Sequence, residues 1–439
     1  MDITPQDSSW LIVREPIIRN IFILVFTIGL VNGVLRFLFP FQILNLGGSE
    51  ALVSWGSSLS SIGQVLGLMV LSRAFSSQRT ALGVSGAFVA VFTVVIGLSS
   101  STNLLLLSRL AEGAGIGLLT IIIIRVSSGF EECRGESVGT LLAGVFLGAA
   151  LGQGFAGIVV RQLMSIYVMA QAQAIMSVGL LLSVSFIALL LLLLPFVKDV
   201  DQFCANGIDE NHGHQHTRLL FRSLLSKNLI ILLGIYLLYD ISHGIYTPGL
   251  SIMIYSNGIE LDFIGLGYFI GDTVWGISQL YTGKMVDSTG SVHPLILSLI
   301  AKGTIVMLYP YATSFLILTS FLAFAGLSEG FLEPARNDAA MEHTPHIMTV
   351  HSHKHYFLGH APGNPFSISS HDHEHSHESG SDEVVSVLQT IGIIGFALGS
   401  LGGGWLLTLG MTLIDLVFMG GVLLICAGVL SSGLRNQGN

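Results

Sequence analysis

SRLAEGAGIG (108–117), EECRGESVG (131–139) and AGVFLGAALGQG (143–154) follow one another within a single stretch, Ser108 to Gly154. An apolar run ending at Arg125 separates the first two segments. The stretch reads as two apolar helices joined by a short charged connection. It places an Arg and a Glu in apolar surroundings and spaces its glycines four apart. A core helix of a soluble protein has little reason to hold all of these, because ionisable groups are costly in an apolar medium and small residues at this spacing suit helices packed in lipid.

The composition agrees. Of 439 residues, 51% are hydrophobic and 10% charged, against about 25% charged in soluble chains. The mean hydropathy is +0.74. The fold class expected is an all-α integral membrane protein. The net charge of −9 says less than where the charges fall. The three cysteines, Cys133, Cys204 and Cys426, have neither metal nor redox spacing. Residues 1–17 are polar and lead into the first apolar span without a cleavable signal.

A crossing needs about 20 apolar residues. Twelve spans meet this: 18–40, 51–72, 80–99, 103–124, 138–160, 173–197, 228–252, 261–283, 292–312, 314–334, 384–407 and 411–432. Two connections are long, 198–227 and 335–383. With the N-terminus inside, Arg161 is the one basic residue left in an outer segment; Arg36, Arg109 and Lys302 lie within spans, and the rest of the 18 Lys and Arg are inner. The positive-inside rule therefore puts both termini and both long loops in the cytoplasm of a multi-pass cell-membrane protein.

The domains expected are a six-helix bundle over 1–197, a His-containing linker over 198–227 and a second bundle over 228–432. A His-rich loop, 335–383, interrupts the second bundle, and 433–439 form a tail. The halves echo each other. Gly144, Gly148 and Gly152 in span 5 match Gly395, Gly399 and Gly403 in span 11, and Leu-Ala-Glu-Gly (110–113) matches Leu-Ser-Glu-Gly (327–330). Parallel repeats of this kind place a substrate between the halves, near the midplane.

On these residues the chain resembles the major facilitator superfamily over nearly its whole length. Residues 40–67 look like the end of helix 1 and helix 2 of that family. Arg109, Gly113 and Gly117 fit its helix-4 motif, and Arg134-Gly135 its entry to helix 5. Gly144, Gly148, Gly152 and Gly154 resemble the helix-5 motif of its antiporters and exporters, without the proline often found there. GKMVDSTG (283–290) matches its cytoplasmic loop between helices 8 and 9, which implies a gating role for Lys284, Asp287 and Gly290; the equivalent SRAFSSQRT (72–80) lacks the acidic residue. The resemblance implies two six-helix bundles, alternating access, and a chain able to act as a monomer.

The ionisable residues within spans are the candidate coupling groups. Arg109 and Glu112, three apart, share a helix face; they form either a proton-coupling pair or a fixed packing pair. Asp240 and His243 share a face of span 7, and Asp272 lies in the middle of span 8. Convergence of the three predicts a proton site or a divalent-cation site, with a hydrogen-bonded polar cluster as the structural alternative. Glu329 and Glu333 lie on one face of span 10 and Lys302 in the middle of span 9, as salt bridges or substrate contacts.

Of 15 histidines, 13 are in the two long loops. His351, His353, His355, His371, His373, His375 and His377 alternate with other residues. That alternation puts imidazoles on one side of an extended chain, a pattern suited to zinc, copper or nickel. The tract's composition predicts disorder. No cofactor is required, and this loop is the candidate site for a divalent metal.

There is no Walker loop, no glycine fingerprint between strand and helix, and no HExxH. This excludes ATP-driven transport on this chain and disfavours an enzyme; nothing suggests nucleic acid. The expectation is a secondary transporter of a small molecule or ion, coupled to protons and directed outward. The alternatives are a zinc-like metal exporter and a non-transporting metal sensor.

Overall fold

The computed structural model describes residues 16–71, 74–75, 77–128, 134–197, 227–342, 348–358, 368–378 and 381–434. In the first half, α1 is Pro16–Asn45, α2 Glu50–Leu66, α3 Gln78–Leu98, α4 Thr102–Ser128, α5 Arg134–Tyr167 and α6 Gln171–Leu193. In the second, α7 is Lys227–Ser256, α8 Leu261–Thr289, α9 Val292–Leu308, α10 Phe315–Glu342, α11 Ser381–Thr408 and α12 Leu413–Ser431. Local chemistry marks several starts and stops. Ser77 accepts a hydrogen bond from the Thr80 backbone N–H at the head of α3. Thr412 and Asp415 form a reciprocal capping box at the head of α12.

Ten of the helices are long and apolar enough to cross a membrane. The two others among the described residues are α2, whose 17 α-helical residues continue as a π-helix over Gly67–Leu71, and α8; each packs on the opposite half, α2 against α11 and α8 against α5. A helix shielded from lipid does not need an apolar surface all round, and Ser54, Ser58, Ser60 and Ser61 are buried in α2.

The helix packing repeats under a shift of six. In the first half α1 packs on α5, α2 on α4, α3 on α4 and α3 on α6; in the second α7 packs on α11, α8 on α10, α9 on α10 and α9 on α12. Glycines set the closest approaches. A Cβ on Gly148 would collide with the Phe26 carbonyl of α1, and one on Gly152 with the Leu30 carbonyl. Across α7 and α11, Gly399 meets the Ile241 carbonyl in the same way, and Gly403 lies over Ile245. Gly144 faces the Phe22 ring, and Gly395 faces Leu237 and Asp240.

The halves meet along two seams, α5–α8 and α2–α11, which the six-helix shift exchanges. The named contacts run from mid-helix to the side where α1 ends, the far side. They include Ser58 donating to the Ala397 carbonyl at 2.9 Å, Gly404 against Trp55, and the Phe146 and Trp275 rings 4.8 Å apart. At the far-side end Arg161 of α5 pairs with Glu260 and with Asp262, the latter at 2.5 Å. Arg161, isolated by the charge count, is thus an ionic tie between the halves.

Three expectations need correction. The 335–383 loop begins later and ends earlier, because α10 continues through Pro334 to Glu342 and α11 starts at Ser381. Its His tracts are not without structure: β1 (Met348–Leu358) and β2 (Ile368–Glu378) pair as an antiparallel hairpin, the one exception among the described residues to an all-α chain. The 283–290 motif is no loop. Lys284 and Asp287 lie in the last turns of α8, and only Gly290, at φ +78°, turns the chain toward α9. The side chains of Lys284, Asp287 and the hairpin lie outside the described residues, as do 198–226 and 435–439.

Candidate functional site

In the first half the polar centre is small. Arg109 Nη1 lies 3.0 Å from Glu112 Oε2, and Ser60 of α2 donates to the same oxygen at 2.7 Å. Glu112 is 1% exposed. The Arg109 guanidinium lies against the Phe39 and Phe92 rings, 4.9 and 5.1 Å from their centroids. Apolar packing of this kind leaves the Glu112 carboxylate as the main counter-charge.

The second half carries a larger network at the equivalent depth. Glu329 follows the same pattern as Glu112 but takes its cation from another helix: Lys302 of α9, 2% exposed, is its ion-pair partner. The Tyr239 hydroxyl lies 2.7 Å from both Glu329 oxygens, and His243 Nε2 lies 3.2 Å from Oε1 and also touches Lys302. Beside this, Arg336 reaches Glu333 at 2.8 Å and Asp240 at 3.4 Å, with its guanidinium 4.2 Å from the Tyr236 ring centroid. Helices α7, α9 and α10 are thereby tied together by charge. Where α9 places Lys302 just before Gly303, which packs on Gly421, α3 places Ile96 just before Gly97, which packs on Gly179. The first half therefore has an apolar residue where the second has its lysine.

Asp272 takes a third position, on the seam. Gln153 of α5 donates to it across the halves at 3.1 Å. Arg36 of α1 is exposed between buried Leu35 and Phe37. It lies within electrostatic reach of Arg109 in one half and of His243 and Asp272 in the other, so its charge acts on both halves.

The expected convergence of Asp240, His243 and Asp272 is therefore corrected: each has a different partner. Among the described residues no three His, Cys, Asp or Glu side chains come together as metal ligands. Arg336 and Gln153 are the members that sequence reasoning missed. Arg336 did carry a signal, the same three-residue spacing to Glu333 that links Arg109 and Glu112. Gln153 stood between two packing glycines as the one polar side chain there.

Comparison with known families matches residues 21–352 to the Major Facilitator Superfamily. The chain belongs to the major facilitator superfamily. It is a multi-pass membrane protein with a transporter fold. A solved structure, of a bacterial homolog to the human lysosomal transporter Spinster in an inward-facing and unoccupied conformation, superposes with a TM-score of 0.61. The two share 13% identity, over 95% of this chain and 94% of that one. At that identity the likeness is one of fold. No curated protein matches.

Proposed function

We propose that this superfamily member is a proton-coupled secondary transporter that exports a small solute by alternating access, with the side where α1 begins in the cytoplasm. The observation that carries this is Asp272. A carboxylate held by Gln153 across the seam loses that partner when the halves rock, so its affinity for a proton changes with conformation. Glu112 and Glu329, at equivalent buried places in the two halves, are the further coupling groups. The glycine contacts of α5 and α11 with α1 and α7 support rocking, since close backbone packing lets each half move as a unit. The helix-5 glycine motif supports export. Arg36, exposed and acting on both halves, supports a solute with negative charge. Metal export has less support among the described residues, because Asp240, His243 and Asp272 are committed to separate partners.

The test needs no known substrate. Purified protein in liposomes on a solid-supported membrane is given a step in pH, and the transient charge movement is recorded. The native chain gives a current that Asp272→Asn abolishes, while the folded yield is unchanged. A current of the same size in Asp272→Asn removes the assignment. The same preparation then screens organic anions for solute-dependent proton flux.

A further inference from the structure

His243 of α7 is less buried than the groups it touches. Its side chain is 23% exposed, against 10% for Glu329 and 3% for Lys302, and Tyr239 is buried. Two aromatic rings set its orientation. Tyr239 stacks on the imidazole with centroids 4.7 Å apart, and Tyr246 meets it edge-on at 5.3 Å. Nε2 is thereby turned inward, where it meets both Glu329 Oε1, at 3.2 Å, and Lys302 Nζ. Nδ1 has no hydrogen-bond partner among the described residues. The two contacts at Nε2 need different protonation states. A carboxylate only accepts and an ammonium only donates. Nε2 must carry a hydrogen to bond Glu329, and must be bare to bond Lys302. The geometry therefore holds partners for two successive states of one nitrogen.

We propose that His243 is the relay through which Glu329 exchanges its proton with the exposed side of the cluster. In the first state Glu329 is ionised, paired with Lys302, and accepts a hydrogen bond from Nε2–H. A proton from water binds Nδ1, and the Nε2 proton passes to Glu329 Oε1. One N–H bond forms at Nδ1, one breaks at Nε2, and one O–H bond forms on Glu329; the imidazole ends neutral, as it began. In the second state the bare Nε2 accepts from the Lys302 ammonium, which has just lost its counter-charge. That acceptor matters, because an uncompensated buried cation is costly. The reverse sequence releases the proton. The other charges within electrostatic reach of the ring are Arg36 of α1, and Glu333 and Arg336 of α10. The last two hold each other, which leaves Glu329 as the carboxylate in contact with the imidazole. The relay rests on the reading of Glu329 as a coupling group, and not on the role of Asp272.

The full chain, purified in detergent, is given a flash-released proton step. The infrared C=O band of the carboxylic acid that Glu329→Gln removes is followed in time. In the native chain the band rises. His243→Ala and His243→Gln slow the rise at least tenfold, and added imidazole returns the Ala variant toward the native rate by filling the space left there. A histidine that only packs would give no such rescue. The native rate in either variant overturns the proposal. So does a slow Ala variant that imidazole leaves unchanged, and so does a native chain without the band. The readout is separate from transport. A band that behaves as expected, in a chain whose pH-step current survives Asp272→Asn, keeps the relay and removes the assignment of Asp272; the converse pair of results does the opposite.

Discussion

Lys302 and Glu329 illustrate what a buried charge demands of its neighbours. Removing one member of such a pair leaves the other uncompensated, at a cost of about 3–5 kcal/mol. Replacing both with apolar or neutral groups avoids most of that. Glu329→Gln should therefore lower the thermal unfolding midpoint of the detergent-solubilised protein markedly, and Lys302→Met added to it should restore most of the loss. Additive losses in the double variant would mean that the two side chains act separately. The same scale shows what sequence could and could not supply. Spacing within one helix found Arg109 with Glu112 and placed Asp240 beside His243. It gave no means of knowing that Lys302 meets Glu329, or that Arg336 turns back to Asp240, because those pairs are made between helices.

At the scale of the helix, glycine is the controlling residue. Gly148→Leu puts a side chain where α5 meets the Phe26 carbonyl of α1, and its product should aggregate or migrate as a misassembled species on size exclusion. Gly402→Ala, one residue before Gly403 and facing open space, should be indistinguishable from the native chain. A Gly148→Leu protein that stays monodisperse and active would show that the α1–α5 contact is not needed. The four-residue ladders were legible because close helix approach demands small residues on one face. The true length of α10 was not. Pro334 and the polar residues after it read as a helix leaving the membrane, yet Arg336 is kept inside by Asp240, Glu333 and the Tyr236 ring. Polarity alone cannot signal an end when the polar group has a buried partner.

At the scale of the molecule, the two halves are closed together on the far side by side-chain packing and by Arg161 with Glu260 and Asp262. Arg161→Ala should shift the population toward a state open on that side. The readout is the distance between spin labels on the far-side ends of α5 and α8, and an unchanged distribution would assign the tie no part in closure. A Trp55→Cys, Gly404→Cys pair, oxidised to a disulfide, should lock the far side and arrest the cycle until it is reduced. The six-plus-six plan was readable from two repeated motifs, whereas the seams were not, since no sequence repeat says which helices of one copy touch the other. One asymmetry outlasts the likeness of the halves. Glu112 has its cation one turn away on the same rod, so α4 carries the ion pair through any movement and only the Ser60 contact from α2 can change. Glu329 must meet a cation mounted on α9. A slip of α9 along α10 by one residue rise, about 1.5 Å, changes that meeting and leaves the other untouched. Of two copies drawn from one plan, the first feels internal shear through the single hydroxyl of Ser60, and the second through its counter-charge.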